Sequence, residues 1–160
     1  MVEARRIKQK PVGFETRQKY WRKRGMTIEQ ILHFAPAEPD IRNAQYVSFE
    51  ELQNVGMLNH PMIISRTITA IPDEEERHHY QMVRPRNASY RGTLFKCPAV
   101  VIECDCARFL FMWEWALHHH GAAEILHSNG DAPDYMNPEY IPGCCKHQYI
   151  MLNFIRSNKI

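Results

Sequence analysis

Five cysteines and one histidine carry most of the chemistry this chain could offer: Cys97, Cys104, Cys106, Cys144 and Cys145, with His147 two residues after the last. Thiolates and a neutral imidazole suit a tetrahedral zinc ion, which makes Cys104, Cys106, Cys144, Cys145 and His147 the candidate ligands. The spacing counts against that reading. Cys-x-Cys and Cys-Cys differ from the paired Cys-x2-Cys knuckles of common structural sites, and adjacent cysteines rarely both reach one ion. A disulfide reading pairs the 104/106 group with the 144/145 group and leaves one thiol over, as would suit an oxidising compartment. The preferred expectation is reduced cysteines acting as small buried apolar groups, with no cofactor and with zinc as the alternative.

The remaining polar clusters point to structure before chemistry. His118, His119 and His120 are successive, so on a helix they lie 100° apart and cannot share one face. They are expected at a helix C-terminus, where partly charged imidazoles complement the dipole. His78 and His79 follow Glu74, Glu75 and Glu76, and a Glu75 to His79 ion pair on an exposed helix is expected there. No nucleophile elbow, phosphate loop, dinucleotide fingerprint or zinc-protease helix is present, so neither an enzyme nor a catalytic residue is predicted.

Charge is the strongest asymmetry in the chain. The first 24 residues hold nine cations, Arg5, Arg6, Lys8, Lys10, Arg17, Lys19, Arg22, Lys23 and Arg24, against two acids, whereas the remainder is net acidic. One end is built to meet something negative. Phe14, Tyr20 and Trp21 lie among these cations, a mixture suited to phosphate contact with base stacking, or to anchoring at lipid headgroups. Arg84, Arg86, Arg91 and Lys96, with Tyr90 among them, form a second and smaller basic patch.

The expected organisation is a basic arm, extended or helical, over residues 1–24, followed by a body over 25–160. The body is predicted to be a small irregular α+β domain of short helices and a few strands, 160 residues being too few for two ordinary domains. Glu15 to Arg24 could form a helix in the arm. Thr27 to Gln30 fits a capping box opening a short helix; Ser48 to Glu51 and Asp73 to Glu76 read as two more, the last running to about Val83. Pro36 and Pro39 imply an extended connection. Met62 to Ile71 and Pro98 to Glu103 read as strands. Ala107 to His119 reads as a helix stopped by Gly121, with apolar groups all round its axis. Residues 129–143 are turn-rich, and 144–155 could be strand or helix. A helix apolar on every side is either central to the core or covered by a neighbour, which makes Phe109, Phe111, Met112, Trp113 and Trp115 candidate subunit-interface residues.

These readings point first to a non-catalytic structural subunit of a large, mitochondrial assembly, its arm on ribosomal RNA as in a mitochondrial ribosome. A peripheral accessory subunit of a respiratory-chain or ATP-synthase complex, with the arm on an anionic lipid surface or an acidic subunit, is the alternative. A small cysteine-based metal-binding or redox module ranks third, and a cytoplasmic setting is the alternative location. No stretch approaches the roughly 20 apolar residues of a membrane span.

Overall fold

Alternation of buried and exposed side chains turns the middle of the chain into a sheet. In the computed structural model, which describes residues 25–34, 38–56, 60–126, 128–133 and 135–160, β1 (Val47–Asn54), β2 (Ile63–Thr69), β3 (Arg77–Pro85) and β4 (Val100–Cys104) lie in chain order. Every neighbouring pair is antiparallel. In β2, Ile63, Ser65, Thr67 and Thr69 turn inward, and Gln81 and Val83 do so in β3. All five residues of β4 are buried. Its outer edge is occupied as well, by hydrogen bonds from Val100 N to Met26 O (2.8 Å) and from Ile102 N to Ala122 O (2.9 Å).

Helices close the inner face. α1 (Ile28–His33) starts at the expected capping box: Gln30 N donates to Thr27 Oγ1 (3.1 Å) and Thr27 N to Gln30 Oε1 (2.9 Å). α2 (Glu38–Ala44) replaces the expected extended connection, with Pro39 tolerated in the first turn because its missing N–H has no helical partner there. Residues 107–120 form the expected helix: after 107–108 comes a π-turn, Phe109–Trp113, in which Glu114 N bonds back to Phe109 O, and then α3 (Glu114–His120). Gly121, at φ 73°, ends it with N–H bonds from Gly121 and Ala122 to His118 O and Leu117 O. The ambiguous final stretch is helical. α4 (Lys146–Asn158) buries His147, Gln148, Met151, Leu152 and Ile155, one stripe at helical spacing, and packs across β1, β3 and β4.

The fold is therefore α+β, as the sequence indicated, but two of its expected helices are strands. Ser48 to Glu51 lies in β1, where a bulge between Phe49 and Glu51 shifts the register and Phe49 packs edge-on against Phe154 at 5.6 Å. Asp73 to Glu76 forms the hairpin turn between β2 and β3, with Asp73 left-handed at φ 64°. Helix propensity at these positions is outweighed by inward alternation at Gln81 and Val83, which seats β3 between two partners. The Glu75 to His79 pair consequently does not form; Arg77 meets Glu74 at 3.3 Å and His79 meets Asp105 at 3.0 Å.

A candidate metal centre

Two separated stretches, 104–106 and 145–147, bring four donors together at the start of α4. Cys104 ends β4, Cys106 opens the following helix, Cys145 is the N-cap residue of α4, and His147 lies in its first turn. Their donor atoms all lie within 4.8 Å of one another. His147 Nδ1 is 3.8 Å from both Cys104 Sγ and Cys145 Sγ. A tetrahedral zinc ion with its usual bonds to sulfur and nitrogen needs donor-to-donor edges of about 3.6 to 3.8 Å. All four residues are buried, Cys145 completely and the other three to within 2–3% exposure.

Local folding explains how short spacings suffice. In Cys104-Asp105-Cys106 the chain leaves a strand and enters a helix at once, so one intervening residue turns both sulfurs to the same side. Asp105 holds that turn from outside, its Oδ1 accepting from Tyr80 N and meeting His79 Nδ1, each at 3.0 Å. Phe109 N donates to Cys106 Sγ at 3.4 Å and to Cys106 O at 3.0 Å. Cys145 and His147 straddle the start of α4, where unpaired N–H groups and the helix dipole favour negative charge. Of the adjacent cysteines only Cys145 joins the group; Cys144 is buried but outside it.

The electrostatics fit a cluster short of positive charge. Burial pushes the Cys104 and Cys145 thiols up. Cys106 is pulled well below the usual thiol range, chiefly by hydrogen bonds from Cys104 and Cys145 and with help from His147. Cys106 thus holds thiolate character at the centre, a ready first ligand for a soft cation. No disulfide links the five cysteines. Cys97 lies apart, its Sγ donating to Ala99 O at 3.1 Å.

Around the four donors the inner sheet face is polar. Thr69 Oγ1 lies 3.0 Å from His147 Nε2. Gln81 Nε2 lies 3.0 Å from Thr67 Oγ1 and 3.8 Å from Cys104 Sγ, and its Oε1 accepts from Ser65 Oγ at 2.7 Å. The His79 and His147 rings are 4.5 Å apart. Sequence reading missed Thr69, Gln81, His79 and Asp105. The available signal was the run of hydroxyl residues at alternate positions, Ser65, Thr67 and Thr69, where a core-facing strand would ordinarily be apolar.

The other predicted site residues fall elsewhere. Arg5, Arg6, Lys8, Lys10, Arg17, Lys19, Arg22, Lys23 and Arg24, with Phe14, Tyr20 and Trp21, lie outside the described residues, as does the expected helix of the arm. In the second basic patch, Arg84 pairs with Glu124, and Arg91 Nη1 donates to Ala88 O at 2.8 Å and Tyr90 O at 3.0 Å. Those two cations serve the protein's own turns. Of the predicted interface residues, Phe109 and Trp113 are buried within the chain, Met112 and Trp115 are half-buried, and Phe111 is 64% exposed.

The histidine run closes α3 as expected, yet not as a charged cap throughout. His118 Nδ1 lies 3.1 Å from Ala123 O, and His119 Nδ1 lies 2.8 Å from Trp115 O with its ring stacked on Trp115 at 3.8 Å. Burial, with His119 beside it, lowers the His120 pKa to about 4, so His120 is neutral near pH 7. Two buried carboxyl groups hold the segment after α3: Glu103 Oε1 accepts from Glu124 N (2.6 Å), and Glu114 from Leu126 N (3.3 Å) and Ser128 Oγ. No family model matches the chain, and comparison with curated proteins and with solved structures likewise returned no match.

Proposed function

We propose that the chain is a non-catalytic binding module whose body is fastened by one zinc ion on Cys104, Cys106, Cys145 and His147. The observation that carries this reading is the convergence of four buried donors, from two stretches of sequence, within 4.8 Å of one another, with His147 Nδ1 3.8 Å from two of the sulfurs. Four protein donors leave no open position for water or substrate, which is the pattern of a structural rather than a catalytic zinc site. Three thiolates around a divalent cation leave one net negative charge, offset by the Phe109 N–H and by the N-terminus of α4.

Metal analysis of the full chain, purified under reducing conditions without chelators, tests the reading. One zinc per chain is expected. A preparation that remains metal-free after incubation with zinc and removal of the excess would overturn it.

A role as a subunit of a larger assembly is the second reading, supported by apolar exposure. Phe111, Tyr135 and Met136, at 64%, 92% and 48% exposure, line an open groove of about 900 Å³ that also carries the charged Arg108 and Asp131. The basic arm supplies the sequence argument for a polyanionic partner such as ribosomal RNA in a mitochondrial ribosome, with a respiratory-chain or ATP-synthase complex as the alternative host. Co-sedimentation with ribosomal particles, released by salt or ribonuclease, is the expected result. Migration of the native protein as a free monomer would end this second reading.

A further inference from the structure

We infer that Thr69 is the positioning residue of the metal centre, presenting Nδ1 of His147, rather than Nε2, to the ion. The inference rests on the zinc reading above and goes further by assigning the ligand atom and the group that selects it. A neutral imidazole has one N–H and one lone pair, and whichever nitrogen keeps the proton cannot bind metal. Nε2 of His147 lies 3.0 Å from Thr69 Oγ1, while Nδ1 faces the sulfurs of Cys104 and Cys145 at 3.8 Å. Thr69 Oγ1 accepts the Nε2–H, which leaves the Nδ1 lone pair aimed at the ion.

The ring is held in this orientation from a second side. His79 lies against it with centroids 4.5 Å apart, and His79 is itself tied to Asp105, the residue between two of the thiolate ligands. Thr69 is 3% exposed and His147 2%, so bulk water does not compete for the bond. Gln81 acts in parallel on sulfur. Its carboxamide, fixed by Ser65 and Thr67, directs an N–H toward Cys104 and spreads that thiolate's charge. The hydroxyls on β2 are thereby explained, since Ser65 and Thr67 orient Gln81 and Thr69 orients His147.

The test uses the full chain with zinc as the probe, in wild type, Thr69→Val and Thr69→Ser. Competition against a chromophoric chelator should show zinc binding weakened about 10- to 100-fold in Thr69→Val, the usual effect of removing a hydrogen-bond partner behind a metal-bound histidine. Thr69→Ser, which keeps the oxygen, should recover most of that loss. Independently of either variant, nitrogen-15 NMR of the zinc-loaded wild type should place the His147 proton on Nε2 and the metal on Nδ1. Metal on Nε2, or equal affinity of Thr69→Val and wild type, would overturn this assignment while leaving the zinc reading intact. Failure of the wild type to bind zinc would overturn both.

Discussion

Removing zinc from the full chain under reducing conditions should lower its melting temperature by about 8 to 16 °C. The proposed ion would join Cys104 and Cys106 to Cys145 and His147, closing a loop of about 40 residues between the two halves of the site. For a cross-link across a loop of that length the chain-entropy relation gives about 4 kcal/mol of stabilisation. A domain of this size shifts by about 2 to 4 °C for each kcal/mol, which sets the stated range. The figure counts the cross-link alone. Far-ultraviolet circular dichroism melts with and without chelator, at constant thiol reductant and with metal content measured before and after, provide the assay. An unchanged melt in a sample shown to have lost its zinc would refute the reasoning, because a cross-link that adds no stability does not fasten the fold.

Cys106→Ser and Cys145→Ser should lose the bound zinc, whereas Cys97→Ala and Cys144→Ala should keep one ion per chain; metal content of the purified variants decides, and loss in all four would dissolve the distinction drawn between them. Trp113→Ala should cost about 3 to 5 kcal/mol in urea denaturation, since the side chain is 3% exposed and packs against Gly143; a loss under 1 kcal/mol would contradict its place in the core. Burial raises the Glu103 pKa to about 8, with the carboxylates of Glu114 and Glu124 adding to the shift and the Glu124 N–H and Arg84 opposing it. Between pH 6 and 8 the unfolded chain is ionised at Glu103 while the folded chain still holds the proton, so this group makes stability fall as pH rises. Glu103→Gln should therefore become more stable relative to wild type by up to about 1.4 kcal/mol per pH unit across that window, levelling off above pH 8. Parallel pH profiles of the two proteins would exclude the raised pKa.

What the sequence revealed, and what it concealed, follows from the range of the interactions. The capping box at Thr27, the β-rich run at 63–69 and the glycine stop at 121 are set by neighbours a few residues away, and all three appear as read. β1 and β3 were misread because Ser48 to Glu51 and Asp73 to Glu76 carry a local helix-start pattern, while their strand pairing depends on residues up to 20 or more positions away. The four clustered donors were identifiable as residue types, but knuckle spacing says nothing of whether they meet in space. A strand-to-helix junction needs only one residue between its sulfurs, and the N-cap of α4 supplies the other pair. Thr69 and Gln81 carry no spacing relationship to the ligands at all. They become neighbours of His147 and Cys104 only through sheet register and helix packing.

The division of the site between the end of β4 and the start of α4 has a consequence for biosynthesis. Cys104 and Cys106 are synthesised before Cys145 and His147, and about 40 residues at the usual elongation rate separate the two pairs by roughly 2 to 8 s. During that interval the growing polypeptide holds two thiols without their mates, too few to grip zinc firmly. Loading of the proposed zinc would therefore wait for the start of α4 and require both earlier thiols to stay reduced until then.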